Sequence, residues 1–135
     1  LSGHVDTLAT LLSVRQPQNN HVMRIGVPPR WMRYVFAKGY IAVNGASLTV
    51  AEADRSEGWF EVWLIPETLR LTTFGDKAPG DRLNLEIERQ TQVIVDTVHE
   101  AVEARLAPLQ GVLERLSASD PTLRDALAAL RSDAP

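Results

Sequence analysis

Asn44-Gly45 lies between two runs of β-branched and apolar residues, Tyr40 to Val43 and Leu48 to Val50. Asn followed by Gly best supplies two successive residues with φ > 0, as a two-residue hairpin turn requires. The stretch KGYIAVNGASLTV, Lys38 to Val50, is therefore read as a β-hairpin around which the rest of the chain is organised. In its second run Ser47 and Thr49 point to one side of the strand, and Leu48 and Val50 to the other. Two readings of this hydroxyl-bearing face stay open. It is the solvated side of a half-buried strand, or a polar strip that orients a small ligand whose ring lies against apolar walls. Pattern alone favours the first.

Upstream, Val5 to Val14 partly alternates and suits a strand, Gln16 to Asn20 supplies a turn, and His21 to Val27 reads as the hairpin partner. Pro28-Pro29 stops that strand, and the second proline suits the first turn of a short helix whose end Gly39 marks. Trp31, Tyr34, Val35 and Lys38 recur there at helical spacing, which predicts that Trp31 and its neighbours cover one end of the core. Downstream, Asp54 to Gly58 is a polar turn into the strand Trp59 to Ile65, which Pro66 ends. Glu67 to Gly75 is threonine-rich and runs into a second turn, Asp76 to Asp81. In Arg82 to Glu88, Leu83, Leu85 and Ile87 take one face, and Arg82, Asn84, Glu86 and Glu88 the other.

Short strands at spacings of about 8 to 20 residues, one short helix and no βαβ rhythm predict a mainly β fold. The expected form is a small six-stranded antiparallel Greek-key barrel, closed to hide its edges and followed by a C-terminal helical tail. The barrel is assigned to residues 1–90 and the tail to 91–135. Val95, Val98, Val102, Leu106, Leu109, Leu113 and Leu116 step by three or four along the tail. Pro108 is expected to kink or break this run, and Asp120-Pro121 to cap a further helix reaching about Leu130. The apolar stripe serves equally for folding back on the barrel or for an oligomer contact.

At 135 residues the chain has room for one ordinary core and little more. With 14 basic and 17 acidic residues well mixed, it offers no basic stripe for phosphate backbones, so nucleic acid is not an expected partner. The absence of cysteine removes disulfides and thiolate chemistry. His4, His21 and His99 are not spaced to bind a metal, and His21 and His99 are expected on the surface. No run of about 18 apolar residues or signal-like start is present, so no membrane partner is expected and a cytoplasmic protein is the default. The start at Leu1, without an initiator Met, predicts a fragment or a processed chain.

Five blocks in register give a sharper signal. They are Ser2-Gly3-His4-Val5-Asp6, the hairpin Lys38 to Val50, LIPETL at Leu64 to Leu69, TTFG at Thr72 to Gly75, and GDRLNLE at Gly80 to Glu86. Over roughly the first hundred residues the sequence resembles the C-terminal half of riboflavin synthase, especially the bacterial form. The resemblance implies one of two barrels of an enzyme that moves a four-carbon unit between two molecules of 6,7-dimethyl-8-ribityllumazine. The products are riboflavin and a ribitylamino-pyrimidinedione, and no cofactor is used. It further implies an active site shared with the N-terminal barrel of a neighbouring subunit, in a homotrimer assembled through C-terminal helices.

Carried over by position, the implied substrate-binding residues are Gly3, His4, Val5, Lys38, Ser47, Leu48, Thr49, Ile65, Pro66, Glu67, Thr68, Leu69 and Arg70. Ser47, Thr49 and Thr68 suit hydrogen bonds to the ribityl chain and the pyrimidine edge, while Leu48, Ile65 and Pro66 suit the ring. The implied chemistry begins with loss of a proton from the C7 methyl. It needs a base and donors for the developing charge, and His4, Ser47 and Glu88 stand at the matching catalytic positions. The family carries Asp where this chain has Glu88, an extra methylene that moves the carboxylate by about 1 Å or more. With the resemblance, the pocket reading of the hydroxyl face is favoured. The rivals are a non-catalytic lumazine- or flavin-binding protein, and a structural module whose business end is the tail stripe. A serine hydrolase using Ser47, His4 and Asp6 or Glu88 lacks the Gly-x-Ser-x-Gly elbow, because Thr49 stands where its second glycine belongs.

Overall fold

The computed structural model describes residues 1–132. Six strands alternate with short helical pieces: β1 (Thr7–Arg15), β2 (His21–Gly26), α1 (Pro29–Met32), β3 (Tyr40–Val43), β4 (Ala46–Asp54), β5 (Trp59–Leu64), α2 (Pro66–Leu71) and β6 (Arg82–Ile87). Two helices follow, α3 (Arg89–Ser119) and α4 (Pro121–Ser132). The strands close into a barrel in the order β1-β2-β5-β4-β3-β6, every neighbouring pair antiparallel. β3, β4 and β5 form a meander and β2 lies beside β5, which is the Greek-key arrangement. Closure leaves no free edge, as expected for strands this short.

The hairpin forms as its sequence dictates. Asn44 and Gly45 take φ of 47° and 80°, both in the left-handed region. The Asn44 side chain then ties the turn to β6, its Oδ1 accepting from the Asn84 N–H at 2.8 Å. Period-two alternation is obeyed: Leu48 and Val50 are buried, and Ser47 and Thr49 are exposed. Leu11, Met23, Ile25, Phe60, Val62, Leu83 and Leu85 are shut off completely from solvent inside the barrel. Each such side chain contributes about 1.5–3 kcal/mol on burial. The Asp54 turn also forms, its Oδ1 accepting from the N–H of Ser56 and of Glu57, both at 3.0 Å.

Several expectations are corrected. The helix after Pro28 stops at Met32, and the left-handed residue before β3 is Lys38, with φ 68°, rather than Gly39. Pro29 starts the helix, but Tyr34 and Val35 are drawn into the core beyond its end, so Met32, Tyr34 and Val35 are buried there while Trp31 is half exposed. One short helix is expected, and a second, α2, with a 3-10 turn at Thr73–Asp76, forms in the threonine-rich segment; Pro66 both ends β5 and starts α2. That turn buries Phe74. His21 is not on the surface. It pairs with Leu64 and shares the alternation of Met23 and Ile25, which leaves it 6% exposed.

The chain divides into two compact units, the first spanning Leu1–Val93 and the second starting at Ile94. α3 runs through Pro108 without ending there. Proline removes one N–H···O bond and crowds the preceding turn, a cost of about 3 kcal/mol that the helix on both sides outweighs. Val98, Val102, Leu106, Leu109, Leu113 and Leu116 are exposed along it. Asp120 caps α4 as expected, accepting from the Thr122 N–H at 2.9 Å. Among the described residues no helix is long and apolar enough to cross a membrane.

Candidate functional site: a cleft across β4, β3 and β6

Register places the site. Ala42 of β3 pairs with Ser47 of β4 on one side and with Glu86 of β6 on the other, so the three side chains share the outer face of the barrel. Two strand spacings put Ser47 and Glu86 about 10 Å apart, with only a methyl group between them. One rung along, Tyr40 pairs with Thr49. The depression is a cleft of about 300 Å³, lined by Leu1, Ser2, Tyr40, Ile41, Ala42, Ser47, Glu86, Glu88, Arg89 and Gln90. Tyr40, 70% exposed, supplies a broad apolar wall beside the hydroxyl of Ser47.

The edge of β4 toward β5 is the second feature. Val50 exchanges hydrogen bonds with the β3 side, its N–H donating to Gly39 O at 2.9 Å and its C=O accepting from the Lys38 N–H at 2.7 Å. Alternation then turns the main-chain groups of Ser47 and Thr49 toward β5. The register between β4 and β5 runs from Asp54↔Trp59 to Val50↔Val62, while β4 reaches back to Ala46 and β5 on to Leu64. Ser47 therefore lies beyond the last paired rung, with its hydroxyl on the cleft face.

The two glutamates of the cleft are held differently. Glu88 caps α3: its Oε2 accepts from the N–H and the hydroxyl of Thr91 at 2.7 and 2.8 Å, and its Oε1 from the Gln90 N–H at 3.2 Å. These bonds, led by the Thr91 hydroxyl, hold its carboxyl below the ordinary glutamate value. Glu86, expected on the polar face of β6, is only 9% exposed. Its oxygens accept from the main-chain N–H groups of Ser2 and Gly3, the latter at 3.1 Å, and the Ser2 bond leads in lowering its pKa.

Of the sequence-derived residues, Ser47 and Glu88 line the cleft together. Gly3, His4 and Val5 adjoin the lining Ser2 but do not themselves line it. His4 is exposed, with Nδ1 3.0 Å from Ser2 O. Leu48 turns inward and is 8% exposed, so its outward groups are main chain only. Lys38 is exposed and bends the chain into β3. Ile65 to Arg70 follow β5: Ile65 is exposed, Pro66 opens α2, Thr68 and Leu69 are half buried, and Glu67 pairs with Arg70 at 2.6 Å. None of these six residues is part of the cleft lining. Sequence reasoning missed Glu86, Tyr40 and Arg89. Alternation gave Glu86 and Glu88 a common face, but register is needed to put that face beside Ser47. Among the described residues no group of three or more histidine or acidic side chains is disposed to hold a metal ion.

The family model of the lumazine binding domain matches residues 2–88, which hold all six strands of the barrel and the cleft residues from Ser2 to Glu88. The chain belongs to the lumazine-binding domain family. The chain is 42% identical over 106 residues to riboflavin synthase of Escherichia coli (strain K12), covering 78% of this chain and 49% of that protein. It is 42% identical over 98 residues to riboflavin synthase of Chlamydia pneumoniae, covering 73% of this chain and 46% of that protein. The chain thus spans about half the length of the curated relatives it matches. Among solved structures, LumP complexed with flavin mononucleotide aligns with a TM-score of 0.62 at 18% identity, over 66% of this chain and 49% of that one. LumP complexed with 6,7-dimethyl-8-(1'-D-ribityl) lumazine aligns at 0.59 and 22% identity, over 65% and 48%. At these identities the likeness is one of fold.

Proposed function

We propose that this chain is the C-terminal half of a riboflavin synthase, a cytoplasmic transferase. In this reading it binds 6,7-dimethyl-8-ribityllumazine and contributes to its dismutation to riboflavin, moving a four-carbon unit between two lumazines. The observation that carries the reading is the match of the lumazine binding domain to residues 2–88, with riboflavin synthase relatives 42% identical over 106 and 98 residues. The site is completed by an N-terminal barrel on a neighbouring subunit of a homotrimer, and the exposed apolar stripe on α3 is its oligomer contact.

Within the site, Ser47 and Thr49 give hydroxyl and main-chain groups to the ribityl chain and the pyrimidine edge, with Thr68 adding a further hydroxyl. Ile65 and Pro66 face the ring, and Gly3, Val5, Lys38, Leu48, Glu67, Leu69 and Arg70 form the surrounding contacts. A carbonyl oxygen only accepts, so in the neutral ring His4 Nδ1 carries the proton directed at Ser2 O, and Nε2 keeps its lone pair. His4 Nε2 takes the proton from the C7 methyl. Ser47 donates toward the charge that spreads into the lumazine ring. Glu88 anchors the cleft rather than acting as the base, since its oxygens already accept three hydrogen bonds and its pKa is lowered. The same observation favours a second reading, a lumazine- or flavin-binding protein without turnover.

The test is a fluorescence titration of this chain with 6,7-dimethyl-8-ribityllumazine and with riboflavin, repeated on Ser47→Ala and Thr49→Ala. Saturable binding that each substitution weakens about tenfold is expected, the loss of one buried polar contact. Binding unaffected by either substitution would overturn the site. Riboflavin formation on mixing with a separately expressed N-terminal barrel separates the enzyme from the binding protein.

A further inference from the structure

We propose that Glu86 is a positioning residue: it clamps Ser2 and Gly3 against β6 and so sets where His4 stands and which of its ring nitrogens is free. The proposal rests on the reading of the cleft as a lumazine site and adds to it a residue outside the set carried over from the family.

The segment Ser2–Val5 precedes the first strand and lies outside its pairing with β6, which Asp6 joins through its main-chain N–H. Two carboxylates hold it from opposite directions. Glu86 reaches out from β6, its two oxygens accepting from the successive N–H groups of Ser2 and Gly3. Asp6 reaches back, its Oδ2 accepting from the Ile87 N–H at 2.8 Å while its own N–H donates to Leu85 O at 2.9 Å. Presenting two successive N–H groups to one carboxylate needs a sharp bend, and Gly3 supplies it with φ of 75°. A buried carboxylate is stable only with its oxygens hydrogen-bonded, so the clamp and the burial of Glu86 sustain each other.

His4 is tied to the clamped residue. Its N–H donates to Ser2 Oγ at 3.3 Å and its Nδ1 lies 3.0 Å from Ser2 O. The ring is thus oriented by Ser2, and Ser2 by Glu86. Release of the clamp frees the carbonyl that selects the Nδ1–H tautomer.

The test is Glu86→Gln in the full chain. The amide nitrogen of Gln presents donors where Ser2 and Gly3 also donate, so one of the two bonds cannot form. Hydrogen exchange at whichever of the Ser2 and Gly3 amides loses its acceptor is expected to speed up about tenfold or more, as for loss of one charge-assisted bond. The ¹⁵N shifts of the His4 ring are expected to move from the Nδ1–H form toward a mixture of tautomers. Gly3→Ala is the second variant: an added Cβ meets nothing within 4 Å, so it acts only through the backbone conformation and is expected to give the same His4 signature. Unchanged exchange and an unchanged His4 tautomer in Glu86→Gln would overturn the proposal; if that variant does not fold, an unchanged tautomer in Gly3→Ala does so. A separate titration with 6,7-dimethyl-8-ribityllumazine is expected to show about tenfold weaker binding by Glu86→Gln. If the unsubstituted chain fails to bind, the lumazine reading fails, while exchange and tautomer still decide the role of Glu86.

Discussion

Two glutamates are buried on the outside of this barrel, three strands apart whichever way round one counts: Glu61 on β5 and Glu86 on β6. Glu61, 1% exposed, is met by side chains. Arg15 reaches it at 2.5 Å and Arg24 at 2.8 Å, and Arg24 also lies over the Trp59 ring, 3.8 Å from its centroid. Burial pushes the Glu61 carboxyl up, and the two guanidinium groups more than offset this, so its pKa is lowered. Glu86 is met by main-chain N–H groups of a segment outside the sheet. The first arrangement crosslinks β1, β2 and β5, three successive strands of the wall in which β2 already pairs with both of the others. The second fastens a loose segment beside a cleft. The same residue type stabilises a wall in one place and organises a site in the other, and the difference lies in what its oxygens are given to bind.

This contrast sets the order of effects on stability. Glu61→Ala removes an acceptor from two guanidinium groups and exposes a gap on the wall, and is expected to cost about 3 kcal/mol, read as a lower denaturant midpoint. The depressed pKa of Glu61 means that its contribution is fully present above its ordinary value of 4.5 and is lost as pH falls through the folded value. Acid titration should therefore show a steeper loss of stability below pH 4.5 in the unsubstituted chain than in Glu61→Ala; parallel curves would place the wall's stability elsewhere. Glu88→Ala removes the cap of α3 and is expected to cost about 1 kcal/mol. Ser47→Ala, on the cleft face, is expected to shift the midpoint by less than about 0.5 kcal/mol while weakening ligand. A Ser47 effect on stability as large as that of Glu61 would erase the distinction between wall and site.

Much of this was legible in the chain. Asn44-Gly45 fixed the central hairpin because few dipeptides tolerate two positive φ angles, and alternation fixed the faces of β4 and β6 because the side-chain period of a strand is two. The Asp120-Pro121 start of α4 was equally local. Errors arose where local signals met tertiary demands. Gly39 had the look of a helix end, yet the helix stops at Met32 and Lys38 takes the left-handed conformation. His21 read as a surface residue because its type is polar, whereas its register opposite Leu64 carries it inside.

Residues within a few positions of one another were enough for the strands, their turns and the hydroxyl face of β4, and five motifs in register along the first hundred residues for the family. Folding of the whole barrel was needed to bring Ser47, Ala42 and Glu86 into one row, to occupy Glu88 in capping α3, and to let Glu86 hold Ser2 and Gly3 more than 80 positions away. Register between distant strands is set by the closure of the whole barrel, and no short stretch of sequence carries it.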